Sequence, residues 1–429
     1  MQLFSTTFSC NSRTNQALFS SSILLKRIII LVLISILSID VYACTSAIFT
    51  GKCTKDGRPI MWKNRDTGEL NNRMQYFKGK KYSFTGLVNS PSKEGEVWAG
   101  SNEVGFCIMN TASYNLAIAE EKDYQDAEGV VMYKALGVCR TLKDFENFLD
   151  TIKKPLAVEA NFGVIDAEGG AAYYEVNTRI WKKYDANDTS IAPDGYLIWT
   201  NYSRSGRKDE GLGYIRWQSA TDIVERAYSE GVKFSAEWVA ENLSRSFYHS
   251  LLKTDLRTSN LTDKTSGWFM DQDFISRKST SAVSIFQGVK KGEDARNTIF
   301  WSGIGYGPLA IIVPIFMLNP EIMPSGLLKE SSTTNKNNSI VCDYVLELKK
   351  QLFPITRGSG NKYVYFVKLY NSEGNGFAQQ LAPFQKQVFE KADPVIELLR
   401  QGKLDSKDIR SFTEDINNLL MSAYKNLMQ

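Results

Sequence analysis

Histidine, the commonest general base in enzymes, occurs once in the chain, as His249. Many zinc sites need two or three histidines, so a site of that kind is not expected either. The residue best suited to chemistry is Cys44, which follows the small residues Val41 and Ala43. If the chain is cleaved after Ala43, Cys44 carries both a thiol and a free α-amine, and an α-amine with a pKa of about 8 can accept the thiol proton. Such a site needs no imidazole.

The segment before Cys44 has the features of a secretory signal. Two basic residues precede a largely apolar run over residues 28–39, and Val41 and Ala43 match the small-residue pattern of a signal-peptidase site. The apolar run is shorter than a bilayer-spanning helix needs. We therefore predict a signal peptide over residues 1–43 and an exported chain, periplasmic or extracellular, that begins at Cys44. An uncleaved membrane anchor is the alternative.

Two other interpretations of Cys44 stay open at this point. The residues VYAC at 41–44 also fit a lipoprotein signal, in which case Cys44 would be acylated and the chain would be a lipid-anchored, non-enzymatic binding protein. Cys44 could also be an ordinary buried cysteine. The run CTSAIFTG predicts a β-strand directly at Cys44, whereas a tethered lipoprotein usually begins with a flexible polar linker. This favours a free thiol.

The elements around Cys44 predict a mixed α+β fold, with sheets that bury one face against a partner layer. Strand-like runs at 44–51 and 59–66 flank a Lys-Asp-Gly turn, and a second hairpin is predicted within residues 161–176. Helical patterns cover residues 129–153, 214–230 and 234–248, and an amphipathic helical region covers 380–429. We divide the chain into a catalytic domain (44–330), a polar linker or loop (331–339) and a mainly helical C-terminal extension (340–429) that caps the active site or mediates oligomerisation.

The composition excludes several classes of protein. With 43% hydrophobic and 23% charged residues in 429, the chain is not disordered, collagen-like or a multi-pass membrane protein. A net charge of +4 gives no support to a nucleic-acid partner. There is no Cys-x-x-Cys pair, and removal of Cys10 with the signal leaves an odd number of cysteines, which predicts at least one free thiol. No cofactor and no metal are predicted.

At residues 44–66, CTSAIFTGKCTKDGRPIMWKNRD, the chain resembles the N-terminus of cysteine N-terminal-nucleophile (Ntn) hydrolases. The penicillin acyltransferase-like family is the nearest branch, and choloylglycine hydrolase and penicillin V acylase are more distant. The segments SNEVGFCIMN at 101–110 and IWTNYSRSG at 198–206 are also similar, and the resemblance extends over about residues 44–318. It implies a four-layer αββα sandwich of the Ntn-hydrolase type.

The resemblance also implies roles for five residues. Cys44 matches the nucleophile, and Asp66 matches the carboxylate that accepts a hydrogen bond from the nucleophile's amine. Asn110 and Asn201 match two positions near the acyl carbonyl, where an uncharged amide can donate to an oxyanion. Arg216 matches an arginine near the nucleophile, which would favour the thiolate.

One departure from the pattern concerns the strand before Asp66. The choloylglycine branch has an arginine where this chain has Lys63. Arg65, two residues further along the chain, either substitutes for it or faces solvent.

These features together imply an exported enzyme that hydrolyses a linear amide, such as an N-acyl amino acid, through a thioester on Cys44. Hydrolysis is favoured over acyl transfer because an exported enzyme meets water rather than coenzyme A. A dipeptidase-like peptidase that uses the same cysteine is the nearest alternative. The expected partner is a small-molecule amide, membrane contact is expected only through the signal segment or a lipid anchor, and a homo-oligomer is left open.

Overall fold

The computed structural model describes residues 44–91, 95–116, 127–258, 265–329 and 337–429. The predicted signal peptide at 1–43 lies outside these residues, as does the greater part of the predicted linker, residues 331–336. Within the described ranges, no helix combines the length and the apolar character needed to cross a membrane.

A six-stranded antiparallel sheet begins directly after Cys44. Its strands, in chain order, are β1 (Thr45–Phe49), β2 (Ile60–Asp66), β10 (Tyr196–Trp199), β14 (Thr280–Gln287), β15 (Ile299–Ile304) and β16 (Val313–Phe316). Their order across the sheet is β10-β1-β2-β14-β15-β16. The predicted hairpin at the start of this sheet is confirmed, because β1 and β2 pair from Thr45 opposite Asn64 to Phe49 opposite Ile60.

A second antiparallel sheet has seven strands that follow one another in chain order. They are β3 (Asn72–Lys78), β4 (Ser83–Asn89), β5 (Ala99–Asn102), β6 (Cys107–Ala112), β7 (Ala160–Ile165), β8 (Ala171–Val176) and β9 (Trp181–Asp185). Two small pairs complete the strands: β11 (Tyr248–His249) with β12 (Thr254–Asp255), and β13 (Trp268–Met270) with β17 (Tyr363–Tyr365).

Seven α-helices lie in the described residues. They are α1 (Glu128–Leu136), α2 (Leu142–Thr151), α3 (Tyr214–Ser229), α4 (Ala236–Asn242), α5 (Ile340–Leu352), α6 (Phe377–Arg400) and α7 (Ser406–Met428). The helical pattern predicted over 129–153 is divided in the structure between α1 and α2, which residues 137–141 separate. Thr141 starts α2 with a capping box in which its side chain accepts from the backbone of Asp144, whose side chain accepts in return.

The four layers follow from the two-residue alternation of the strands. On β8, Tyr173 faces the other sheet and stacks on Trp199, with ring centroids 4.5 Å apart. The next residue, Tyr174, faces outward and packs edge-on against Phe145 of α2. Helices α1 and α2 share a core with the outer face of the seven-stranded sheet. The remaining helices share the other core, which includes both the space between the sheets and the outer face of the six-stranded sheet. The predicted αββα sandwich is confirmed.

The C-terminal helices are fixed to the segment that leads into β16 by side chains that bond to the backbone of that segment. Gln385 of α6 accepts from the backbone N–H of Ile312 (2.7 Å) and donates to the carbonyl of the same residue (2.9 Å). Tyr424 of α7 donates to the carbonyl of Leu309 (2.8 Å) and accepts from the N–H of Ile311 (2.9 Å). Helices α6 and α7 therefore satisfy backbone groups of the segment that leads into β16, as a neighbouring strand would.

We expect Gln385→Ala to lower the free energy of unfolding by about 2 kcal/mol, because it leaves the buried backbone groups of Ile312 without partners. Urea unfolding followed by circular dichroism measures the difference. Gln387→Ala, at an exposed position of the same helix, is the control. Equal stability of the two variants would show that α6 is not held through Gln385.

Candidate active site

Strand register brings Cys44 together with two residues that are distant in sequence. Thr45 pairs with Asn64 and Ser46 pairs with Trp199. Continuing these ladders back to Cys44 places it beside the end of β2 on one side and level with Asn201 on the other. Accordingly, the Sγ atom of Cys44 lies 3.9 Å from the backbone oxygen of Asp66, the last residue of β2.

Arg216, in the first turn of α3, connects these segments through its buried guanidinium group. Nη1 donates to the carbonyl of Cys44 (2.6 Å) and to Oγ1 of Thr45 (2.9 Å), and Nη2 donates to Oδ1 of Asn201 (2.9 Å). The residue before the helix is Gly213, with φ of 84°. A Cβ atom there would lie 2.2 Å from Nη2 of Arg216, so both the backbone and the guanidinium require glycine.

The charge of Arg216 is sensitive to its neighbours. Burial lowers the pKa of Arg216, and the nearby Arg277 lowers it further, whereas Asp66 and Cys44 raise it. A negative charge on the thiol of Cys44 would therefore be stabilised by this guanidinium.

The Asp66 carboxylate is held on both of its oxygens. Arg277 Nε donates to Oδ2 (2.9 Å), and the hydroxyl of Thr280 donates to Oδ1 (2.6 Å). Thr280 pairs with Asp66 across the sheet, but Ala282 pairs with Arg65, so Ser281 is an extra residue that forms a β-bulge. The bulge lies at the end of β2 where Cys44 is placed.

Both predicted asparagines are oriented by cations. Lys63 Nζ donates to Oδ1 of Asn110 (2.8 Å), as Arg216 does to Oδ1 of Asn201. Since lysine and arginine can only donate, each amide nitrogen must be turned away from the cation. That of Asn201 donates to the carbonyl of Ala112 (2.7 Å), two residues after Asn110 on β6. Asn110 therefore lies on the second sheet, next to the strand end that contacts Asn201.

Because successive side chains of β2 point to opposite faces of its sheet, Lys63 and Arg65 both lie on the face between the two sheets. Arg65 is 3% exposed, and it donates to Oδ1 of Asn72 (2.6 Å) and of Asn89 (2.8 Å). Its guanidinium also lies over the ring of Trp98, 4.8 Å from the centroid. The suggestion that Arg65 faces solvent is therefore wrong. Lys63 donates to the carbonyl of Trp98 as well as to Asn110.

Sequence reasoning missed the turn at residues 277–280. Arg277 and Thr280 of this turn bind the carboxylate of Asp66, although they lie 211 and 214 positions further along the chain. The turn is closed by its own bonds, from the N–H of Arg277 to the hydroxyl of Thr280 and from the N–H of Thr280 to the carbonyl of Arg277. The only local signal was a pair of basic residues, Arg277 and Lys278, one residue before the largely apolar strand β14.

Two charged groups lie behind this turn. Lys349 of α5 donates to the carbonyl of Thr280 (3.0 Å), and Asp271 accepts from the N–H of Lys278 (2.6 Å). Desolvation raises the pKa of Asp271 to about 7, against the opposing effects of Lys278, Arg277 and Lys349. Burial lowers the pKa of Lys349 to about 8, with Asp271 and Asp66 acting in the opposite direction.

The other four described cysteines are buried free thiols, and burial raises their pKa to about 11 or 12. They are Cys53, Cys107, Cys139 and Cys342. Their thiols are therefore poor nucleophiles near neutral pH. No cluster of three or more histidine, cysteine or acidic residues suited to a metal ion occurs in the part of the chain that is described.

The raised pKa of Asp271 predicts a pH-dependent stability. Between about pH 4 and about pH 7 the folded chain keeps a proton on Asp271 that the unfolded chain has lost, so this residue lowers the free energy of unfolding as the pH rises. Asp271→Asn removes the effect, and the variant should gain stability relative to the unaltered chain over this range. Urea unfolding at a series of pH values measures the difference. Asp209→Asn, at an exposed position, is the control, and parallel pH profiles for Asp271→Asn and the unaltered chain would contradict the prediction.

Comparison with known proteins gives similarity in structure only. No family model matches the chain, and no curated protein matches it. Similar solved structures include a Caenorhabditis elegans ortholog of N-acylethanolamine-hydrolyzing acid amidase, with 14% identity and a TM-score of 0.39 over 57% of this chain and 92% of that one. A variant of conjugated bile acid hydrolase from Clostridium perfringens has 13% identity and a TM-score of 0.35 over 61% of this chain and 89% of that one. Penicillin V acylase from Agrobacterium tumefaciens has 10% identity and a TM-score of 0.34 over 64% of this chain and 86% of that one. The similarity concerns the fold alone.

Proposed function

We propose that residues 1–43 are removed during export to the periplasm or the extracellular space, and that the mature chain hydrolyses a linear amide such as an N-acyl amino acid. Cys44 is the nucleophile, and its own α-amine is the general base. The observation that carries the proposal is the position of Cys44 at the start of β1, where Asp66, Asn201 and the buried guanidinium of Arg216 meet.

Each neighbour of Cys44 has a role in this proposal. Arg216 fixes the carbonyl of Cys44 by a hydrogen bond, and its positive charge favours the thiolate. Asp66, whose backbone oxygen lies 3.9 Å from the Sγ atom of Cys44, has the role of stabilising the α-amine when it is protonated. Asn110 and Asn201 have their oxygens turned to cations, so their amide nitrogens are the groups that can donate to a substrate carbonyl.

Acylation begins when the amine takes the proton of the thiol. The sulfur attacks the amide carbonyl, the S–C bond forms, and the π electrons move to the oxygen, which accepts hydrogen bonds from an asparagine N–H. The C–N bond then breaks, and the leaving amine takes the proton from the α-ammonium group. The product is a thioester on Cys44.

Deacylation repeats the sequence with water. The amine takes a proton from the water molecule, the new O–C bond forms, and the S–C bond breaks to release the carboxylic acid. The departing sulfur takes back the proton. An amine in place of water would give acyl transfer, and the exported location supplies water in excess.

The surroundings of Cys44 weigh against a lipid anchor. Cys44 is 6% exposed, its carbonyl accepts from Arg216, and β1 begins at the next residue. A diacylated thiol here would need to extend out of the end of a buried strand with no linker. The geometry therefore favours a free thiol.

We expect the chain that begins at Cys44 to hydrolyse some members of a panel of N-acyl amino acids and dipeptides, and Cys44→Ala to lower kcat at least about a thousandfold. Mass spectrometry of the quenched reaction should show an acyl adduct on Cys44. A chain that keeps Ala43 should be as inactive as Cys44→Ala, because its nitrogen is then an amide and cannot act as a base. Cys139→Ala, which removes a buried free thiol elsewhere, should keep full activity.

Hydrolysis that survives Cys44→Ala, or a diacylated N-terminus in the exported protein, would refute the proposal. Preference for dipeptides within the panel would favour the peptidase alternative.

Asn110→Ala should lower kcat about a hundredfold with a smaller change in KM, because an oxyanion donor acts mainly in the transition state. Lys63→Met should lower kcat by a smaller factor, since Lys63 only orients Asn110. Asn147→Ala, at an exposed position of α2, is the control. Unchanged kcat in the Asn110→Ala variant would exclude Asn110 as the donor.

A further inference from the structure

Helix α5 carries two adjacent lysines in opposite environments. Lys350 is exposed and forms an ion pair with Glu347 on the same helix. Lys349 is 5% exposed, and its Nζ donates to the carbonyl of Thr280, the residue whose hydroxyl donates to Asp66. Burying an ammonium group costs free energy unless the group is paired, so the burial of Lys349 beside this turn calls for a structural explanation.

Asp271 is brought to the same turn by the C-terminal region. It directly follows β13, which pairs with β17, with Met270 opposite Tyr363. Its own N–H donates to the carbonyl of Lys362 (2.6 Å). Its Oδ2 accepts from the N–H of Lys278, while its shielded Oδ1 has no partner among the described residues.

The two groups extend a series of alternating charges that begins at Asp66. Asp66 pairs with Arg277, Arg277 is stabilised by Asp271 as well as by Asp66, and Asp271 in turn stabilises the charge of Lys349. Each charge in the series thus has an opposite neighbour.

Other groups also face this series. Lys278 opposes the charge of Lys349, Cys342 favours it, and Asp273 favours the charge of Arg277. The ring of Tyr306 lies with its centroid 5.5 Å from Nζ of Lys349.

We propose that Lys349 and Asp271 are positioning residues of the active site. They hold the 277–280 turn at the carbonyl of Thr280 and the N–H of Lys278. The turn in turn fixes the carboxylate of Asp66, the residue whose backbone oxygen contacts Cys44. The C-terminal region at 340–429 is then a structural part of the active site rather than a separate appendage. This inference rests on the proposed role of Cys44.

The test is the pH dependence of Cys44 alkylation, which requires no knowledge of the substrate. The chain that begins at Cys44 is treated with iodoacetamide at a series of pH values, and intact mass gives the rate. The four other described thiols, with their raised pKa, react slowly and serve as an internal reference.

In Lys349→Met we expect alkylation of Cys44 at pH 7 to slow about tenfold, with the pH midpoint about one unit higher, because the turn that holds Asp66 loses one of its two supports. Lys349→Arg, which keeps a cationic donor for the carbonyl of Thr280, should restore most of the rate. Lys350→Met should match the unaltered chain. A folding defect alone would not move the midpoint of molecules that remain folded.

If Lys349→Met does not fold, the double variant Lys349→Met with Asp271→Asn removes both buried charges together and avoids leaving one of them unpaired. It should show the same shift in midpoint. A rate and a midpoint equal to those of the unaltered chain, in whichever of these variants folds, would overturn the positioning role while leaving the role of Cys44 intact. An unaltered chain in which Cys44 does not react, or in which hydrolysis survives Cys44→Ala, would instead refute the proposed function itself.

Discussion

The position of Cys44 depends on the buried guanidinium of Arg216. Three neutral acceptors surround it, namely the carbonyl of Cys44, the hydroxyl of Thr45 and the amide oxygen of Asn201. These neutral acceptors bind Nη1 and Nη2, Nε has no partner among the described residues, and the positive charge stays uncompensated by them. The carboxylate that most favours this charge, that of Asp66, is shared with Arg277. The arrangement is therefore suited to one additional negative charge, which a thiolate at Cys44 would supply. The same guanidinium connects α3 to β1 and to the end of β10, so the helix cannot shift without disturbing the cysteine.

Much of the architecture could be predicted because strand patterns are local. The β1–β2 hairpin and the β7–β8 hairpin each combine alternating residues with a turn that contains glycine. The break between α1 and α2 was also present in the sequence, since Thr141 and Asp144 have the spacing of a capping box, but the apolar periodicity on either side masked it. Local signals of this kind give the order of the elements and the ends of the strands.

The site could be predicted only in part. Cys44, Asp66, Asn201 and Arg216 were named from the sequence, and strand register explains why the first three converge. Arg277, Asp271 and Lys349 have no sequence signal of comparable strength, because their importance arises from packing between segments more than two hundred residues from Asp66. Arg65 was ambiguous for a related reason: a charged residue in an alternating strand has the same pattern whether it faces water or a second sheet that offers acceptors such as Asn72 and Asn89.

The hydrogen bonds of Gln385 and Tyr424 also affect the tendency of the chain to aggregate. β16 is the edge strand of the six-stranded sheet, and the segment that leads into it belongs to the apolar run LAIIVPIFML at residues 309–318. An apolar edge with free backbone groups is a template for strand addition and aggregation. Gln385 satisfies both backbone groups of Ile312, and Tyr424 satisfies the carbonyl of Leu309 and the N–H of Ile311, so the two helices supply hydrogen bonds that a neighbouring strand would otherwise give to this segment. The C-terminal helices thus protect residues 309–312, an apolar segment that would otherwise be prone to aggregate. The amide of Gln385 and the hydroxyl of Tyr424 make the hydrogen bonds that the backbone of a neighbouring strand would make.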